Sequence, residues 1–151
     1  MGFAEANKTC FAKYFTLSGR ASRSEYWQFA LGLAIIGSAS AVIDGFAFGF
    51  RADPGPIELL IDFLIICPIL TAFVRRLHDT GKSGWYFFAP PVGCAIVFGF
   101  GAAVGTSIGK SIIWVVGAMI LAVLLLPLWW SVQPSQPGPN KYGPNPLEVT
   151  P

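Results

Sequence analysis

The sequence predicts an all-α integral membrane protein: a compact bundle of four transmembrane helices with both termini cytoplasmic. Three observations lead there. The 151 residues are 54% hydrophobic and only 12% charged, against roughly 25% charge in soluble domains. The apolar residues gather into runs of membrane-crossing length separated by short polar segments. Lysine and arginine are distributed very unevenly among those segments.

Residues 1–26 form a polar amino-terminal segment in which Lys8, Lys13, Arg20 and Arg23 alternate with Phe11, Tyr14 and Phe15. That mixture suits a short amphipathic helix lying at a membrane surface, the alternative being a flexible tail. Its length, and the length of the apolar run that follows, argue against a cleaved signal peptide. Ser22 to Glu25 reads S-x-x-E, a capping box that predicts a helix start near Ser22.

Residues 27–50 carry Asp44 as their single charge and, at about 1.5 Å per residue, are long enough to cross a hydrocarbon core of roughly 30 Å. RADPGP at Arg51–Pro56 reads as a turn. Residues 57–74 are short for a span and contain Glu58, Asp62 and Pro68. A hairpin re-entering the same side is one reading. A full span is favoured, because neighbours can satisfy the carbonyl that a membrane proline frees. Residues 75–84 then form a cytoplasmic loop, and 85–107 a third span, kinked near Pro90 and Pro91. A turn around Lys110 leads to the fourth span, 112–132, and the proline- and asparagine-rich residues 133–151 form a cytoplasmic tail.

Orientation follows from the basic residues. With the amino terminus cytoplasmic, that side holds Lys8, Lys13, Arg20, Arg23, Arg75, Arg76, Lys82 and Lys141, and the other only Arg51 and Lys110, eight against two. Trp27, Trp85, Trp129 and Trp130 fall at the same boundary.

Three separated strings, GRASRSEYW at Gly19–Trp27, RRLHDTGKSGW at Arg75–Trp85 and NKYGPNP at Asn140–Pro146, resemble the signature of small bacterial inner-membrane proteins of the YhaH and YhaI type, a domain of unknown function (DUF805). The resemblance covers nearly the whole chain. It implies a multi-pass protein of the bacterial inner membrane, and it brings no activity, cofactor or catalytic residue.

The topology puts all three strings on one face, so Arg20, Arg23, Arg75, Arg76, His78, Asp79 and Lys82 are the candidate site for an anionic lipid or a protein partner. The competing reading is that the basic residues only fix topology. DTGKSG fails as a phosphate loop, because the glycine required five positions before Gly81 is replaced by Arg76 and no strand precedes it. A milder form survives in which Ser83 and the amides near Gly84 cap the third helix and offer its amino end to a phosphate head group. His78 and Asp79 are adjacent and therefore poorly placed for a triad; pairing with arginines or backbone is the plainer expectation.

Asp44 and Asp62 should share one depth in the bilayer, where a carboxylate costs about 2.5–3.5 kcal/mol. They are candidates for a proton or cation site, or for pairing with Arg51 or Lys110. Gly45 with Gly49, and Gly101 with Gly105, are spaced for close helix packing, within the chain or with a second copy. Cys10, Cys67 and Cys94 have no metal-ligand spacing, so they read as small hydrophobes. The net charge of +2 gives no nucleic-acid footprint. The expectation is a non-enzymatic interaction protein without cofactor or metal, binding anionic lipid or a partner. The alternatives are a small proton or cation transporter using Asp44 and Asp62, and a membrane enzyme acting on lipid head groups, which requires His78, Asp79 and the arginines to face one cavity.

Overall fold

The computed structural model describes residues 2–50, 53–96, 99 and 111–148. Among them the protein is helical, with no strand beyond an isolated bridge between Asn140 and Gly143. The elements are α1 (Phe3–Ala12), α2 (Arg23–Phe48), α3 (Pro56–Asp79), a 3-10 helix (Gly84–Phe88), α4 (89–96) and α5 (Ser111–Val132). Of these, α2 and α3 are long and apolar enough to cross a membrane. Arg51, Lys110, Gly101 and Gly105 lie outside the described residues.

The amino-terminal segment contains a helix that docks onto the bundle. One side of α1 presents Ala6 and Cys10, a turn apart and fully buried, while Phe3, Lys8 and Phe11 face outward. Docking is close because α2 offers Gly32, where an added Cβ would lie 2.1 Å from Asn7 Oδ1. The chain after α1 then reaches α3. Pro68 has no N–H to give the carbonyl of Leu64, and the Tyr14 hydroxyl donates to that carbonyl instead. Thr71 Oγ1 donates to the Tyr14 carbonyl, 3.2 Å away. A neighbour therefore satisfies the group that proline frees, and α3 continues through it.

Three expectations need correction. First, α3 runs to Asp79, so Arg75–Asp79 are the last turns of a helix and not the start of a loop. Charge marked a boundary of the apolar run; the helix itself goes on because its charges find partners. Second, Gly45 and Gly49 do not form a helix-packing face. The Phe50 ring of the same chain sits against Gly45, and Gly49, at φ +87°, ends α2. Third, Pro90 and Pro91 occupy the first turn of α4, where N–H groups lack intrahelical partners anyway. They begin that helix after the 3-10 turn and do not kink a longer one.

Two small apolar clusters hold the helices together. One joins Cys10, Phe29, Leu33 and Ala72; the other joins Phe73, Leu77 and Trp130, with Tyr26 packed against both. Outside them the usual arrangement is inverted. Phe46, Phe63 and Trp85 are 80%, 73% and 77% exposed, while Arg75, Arg76 and Asp79 are fully buried. In water, so large an apolar surface would be a strong liability, whereas a hydrocarbon solvent favours it.

Candidate functional site: a buried ion-pair network at one end of the bundle

The network is centred on Asp79, in the last turn of α3. Its Oδ1 accepts from Arg20 Nε at 2.9 Å and its Oδ2 from Arg76 Nη1. The rest of each guanidinium is taken up by carbonyls. Arg20 donates to Gly138 O at 2.8 Å and Gln136 O at 2.6 Å. Arg76 donates to Ser131 O at 3.0 Å, to Ala21 O at 3.3 Å and to Gln133 O. Ser131 belongs to the last turn of α5 and Gln133 follows it directly, so Arg76 lies against the negative end of that helix dipole. Arg23 adds a bond to Val132 O at 3.5 Å.

Arg75 points the other way, toward α1. Its Nη1 donates to Glu25 Oε1 at 2.8 Å and its Nη2 to Cys10 Sγ at 3.4 Å. Only half of the expected capping box forms: Ser22 Oγ accepts from the Glu25 amide at 3.2 Å, but the Glu25 carboxylate goes to Arg75. Burial pushes the Cys10 thiol up from its ordinary pKa, and Arg75 opposes the shift, so Cys10 stays a thiol that accepts from Arg75 and donates to Glu25 Oε1 at 3.6 Å. Three guanidiniums against two carboxylates leave one excess positive charge in the buried cluster. Helix-end and tail carbonyls absorb it.

The string around Gly81 forms a helix stop. Gly81 adopts φ +77°, its amide donates to His78 O at 3.0 Å, and the Lys82 amide donates to Leu77 O at 2.9 Å. This is the Schellman pattern that closes a helix. Ser83 Oγ then accepts from the Trp85 amide at 3.4 Å and caps the 3-10 helix, the capping half of the milder reading. His78 is held at three points. Its Nδ1 meets Gly19 O at 3.2 Å, its carbonyl accepts from Asn140 Nδ2 at 3.0 Å, and its ring stacks on Tyr142 at 3.7 Å. Lys82 Nζ donates to Gln133 Oε1 at 2.9 Å. His78 borders an apolar cavity, but Asp79 and the arginines do not line it, so the enzyme constellation is not assembled there.

At the far end of the bundle, Asp44 acts as a cap supplied by another helix. Its Oδ1 accepts from the Ile57 amide at 3.2 Å and its Oδ2 from the Glu58 amide at 2.6 Å, at the open amino end of α3. Gly55 makes this possible, because a Cβ there would lie 2.3 Å from Asp44 Cγ. Asp62 is exposed, and it lines with Asp44, Asp53 and Glu58 a cavity of about 700 Å³.

The strings that meet at Asp79 are those on which the family resemblance rests, and the profile described as "Protein of unknown function (DUF805)" matches residues 14–144. The chain belongs to the DUF805 family. It is 39% identical over 97 residues to the inner membrane protein YhaI of Escherichia coli K12, covering 62% of this chain and 80% of that protein. Against the inner membrane protein YhaH of the same strain the identity is 33%, with the same coverage. No solved structure matches the chain. With its apolar helices, this likeness makes the DUF805 protein described here a protein of the bacterial inner membrane.

Sequence reasoning missed several DUF805 contacts. Glu25 was legible only as a capping residue, Cys10 only as a hydrophobe, and Tyr14 only as an interfacial aromatic. Carbonyl acceptors such as Gln136 and Gly138 leave no signal in side-chain identity at all. The one available clue was Pro68, which demands a partner for Leu64.

Proposed function

We propose that this DUF805 protein crosses the membrane four times, with both termini in the cytoplasm, and that its cytoplasmic end binds anionic lipid head groups without catalysing a reaction. The observation that carries the proposal is a division of labour among the cations. Arg20, Arg75 and Arg76 are buried and internally paired, whereas Lys8, Lys13, Arg23 and Lys141 stay exposed on the same end. Exposed Phe11, Phe15, Trp27 and Trp129 accompany them. Arg20, Arg75, Arg76, His78 and Asp79 shape this face, while the exposed cations supply attraction of about 1 kcal/mol each near an anionic surface. The imbalance of basic residues, eight against two, supports the orientation.

Native mass spectrometry of the detergent-purified protein tests this reading. Anionic phospholipid is expected to remain bound, and to be lost from a Lys8→Glu, Lys13→Glu, Lys141→Glu variant that melts normally. An unchanged lipid complement, or a retained protein in place of lipid, overturns it. A reporter inserted at residues 80–83 that reads outside the cytoplasm overturns the topology.

A second reading, proton or cation transport, is favoured by the four carboxylates around one cavity. Asp62 is the stronger candidate there, since both Asp44 oxygens hold backbone amides. Asp62→Asn leaving liposome proton and cation flux unchanged removes this reading.

A further inference from the structure

We infer that the cavity beside His78 is a binding site for a neutral membrane amphiphile whose head group is a hydroxyl. The cavity measures about 450 Å³, within the roughly 300–1,000 Å³ of small-molecule sites. Its walls are aliphatic and aromatic, among them Leu70, Val74, Phe87 and Phe88, and among the described residues no Asp, Glu, Lys or Arg lines it. Leu17 and Trp85, 55% and 77% exposed, also border it. The apolar interior therefore opens to the protein's surface beside two exposed apolar side chains, where a membrane molecule can enter.

The polar end of the cavity sets the chemistry. His78 is only 9% exposed. Its Nδ1 meets the carbonyl of Gly19; a carbonyl only accepts, so in the neutral ring Nδ1 carries the proton and Nε2 keeps a lone pair. Nε2 has no hydrogen-bond partner among the described residues. It points toward Gly84, where a Cβ would lie 3.6 Å from it and 2.9 Å from Val74 Cγ1. Glycine at this position leaves Nε2 open to the cavity. A donor that enters the cavity can reach this free acceptor. Ser83 lines the same end, with its oxygen already accepting from the Trp85 amide, and its hydroxyl proton has no acceptor among the described residues. A ligand hydroxyl satisfies both groups, donating to Nε2 and accepting from Ser83. A phosphate or carboxylate would meet no countercharge among the described residues of the walls. This site is separate from the exposed lysines and selects against the anionic head groups proposed for them.

The test is photolabelling of the full-length protein in micelles with a diazirine-bearing hexadecanol, followed by peptide mapping. Saturable adducts are expected on residues 70–74 and 84–88, suppressed by excess unlabelled hexadecanol. Val74→Phe and Leu17→Trp, filling the cavity from opposite walls, are expected to cut labelling tenfold or more. Since Leu17 is exposed, that variant keeps the fold, and a melting curve confirms it. His78→Phe retains a ring against Tyr142 but lacks Nε2, and is expected to weaken competition about three- to tenfold. Adducts undiminished in Leu17→Trp, or adducts that never saturate, overturn the site. Equal labelling by a diazirine-bearing palmitate at pH 8 overturns the neutral-head assignment.

Discussion

The two ends of this bundle handle buried carboxylates in opposite ways. Around Asp79 the acceptor is matched by full charges: two guanidiniums bond it, and carbonyls from a third and fourth chain segment complete them. Around Asp44 the acceptor is matched by dipoles alone, the free amides of Ile57 and Glu58 at the start of α3. One carboxylate is needed for its charge and the other for its oxygens. The first ties the amino-terminal loop, α3, α5 and the tail together, and the second fixes how a single turn enters a single helix.

Substitution separates the two roles. Asp79→Ala leaves Arg20 and Arg76 without a buried counter-charge, and its expected cost is the largest here, about 3–5 kcal/mol, read from unfolding in mixed micelles. Arg75→Ala with Arg76→Ala belongs in the same class: it is expected to lower stability, with lipid loss only as a consequence. Asp44→Ala removes a cap and is expected to cost about 1 kcal/mol. The sharpest contrast is the isosteric pair. Asp79→Asn should remain severely destabilising, whereas Asp44→Asn, which keeps one acceptor oxygen for the two amides, should cost no more than about 1 kcal/mol. Equal effects at both positions would remove the distinction between charge and dipole.

Smaller effects probe the connections between the ends. Tyr14→Phe withdraws the donor from the Leu64 carbonyl and is expected to cost about 0.5–1.5 kcal/mol, with faster hydrogen exchange in the turn around Pro68. Gly81→Ala strains the helix stop at φ +77° and brings a Cβ within 2.7 Å of Gln136 Oε1, for an expected loss of about 1 kcal/mol. Lys8→Glu with Lys13→Glu is expected to leave melting unchanged within about 0.5 kcal/mol, because both side chains are exposed.

Much of this was legible in the sequence. Apolar runs marked α2 and α3, the S-x-x-E string marked the start of α2, and the charge distribution brought the three family strings together. The direction in which the arginines point was not legible. Counting basic residues by segment says which boundary they occupy, but the partners of Arg20 and Arg75 lie 59 and 50 residues away, and only the packing of α2 and the loop before it against α3 brings them within bonding distance. The same limit ended α3 too early, since Arg75 reads as a membrane boundary until Glu25 is seen beside it. Asp44 was placed at the correct end, yet its partners are backbone amides, which every sequence contains and none advertises.

The tail's grip on Arg20 also sets an order of assembly. Arg20 is separated from its acceptor at Gln136 by 116 residues, an interval on the order of ten seconds of synthesis. For that time Arg20 has no tail to hold, and α2 and α3 reach the membrane before their shared end can close. The final clasp forms only after α5 and the residues following it have left the ribosome. A nascent chain stopped before residue 133 therefore carries incompletely matched guanidiniums.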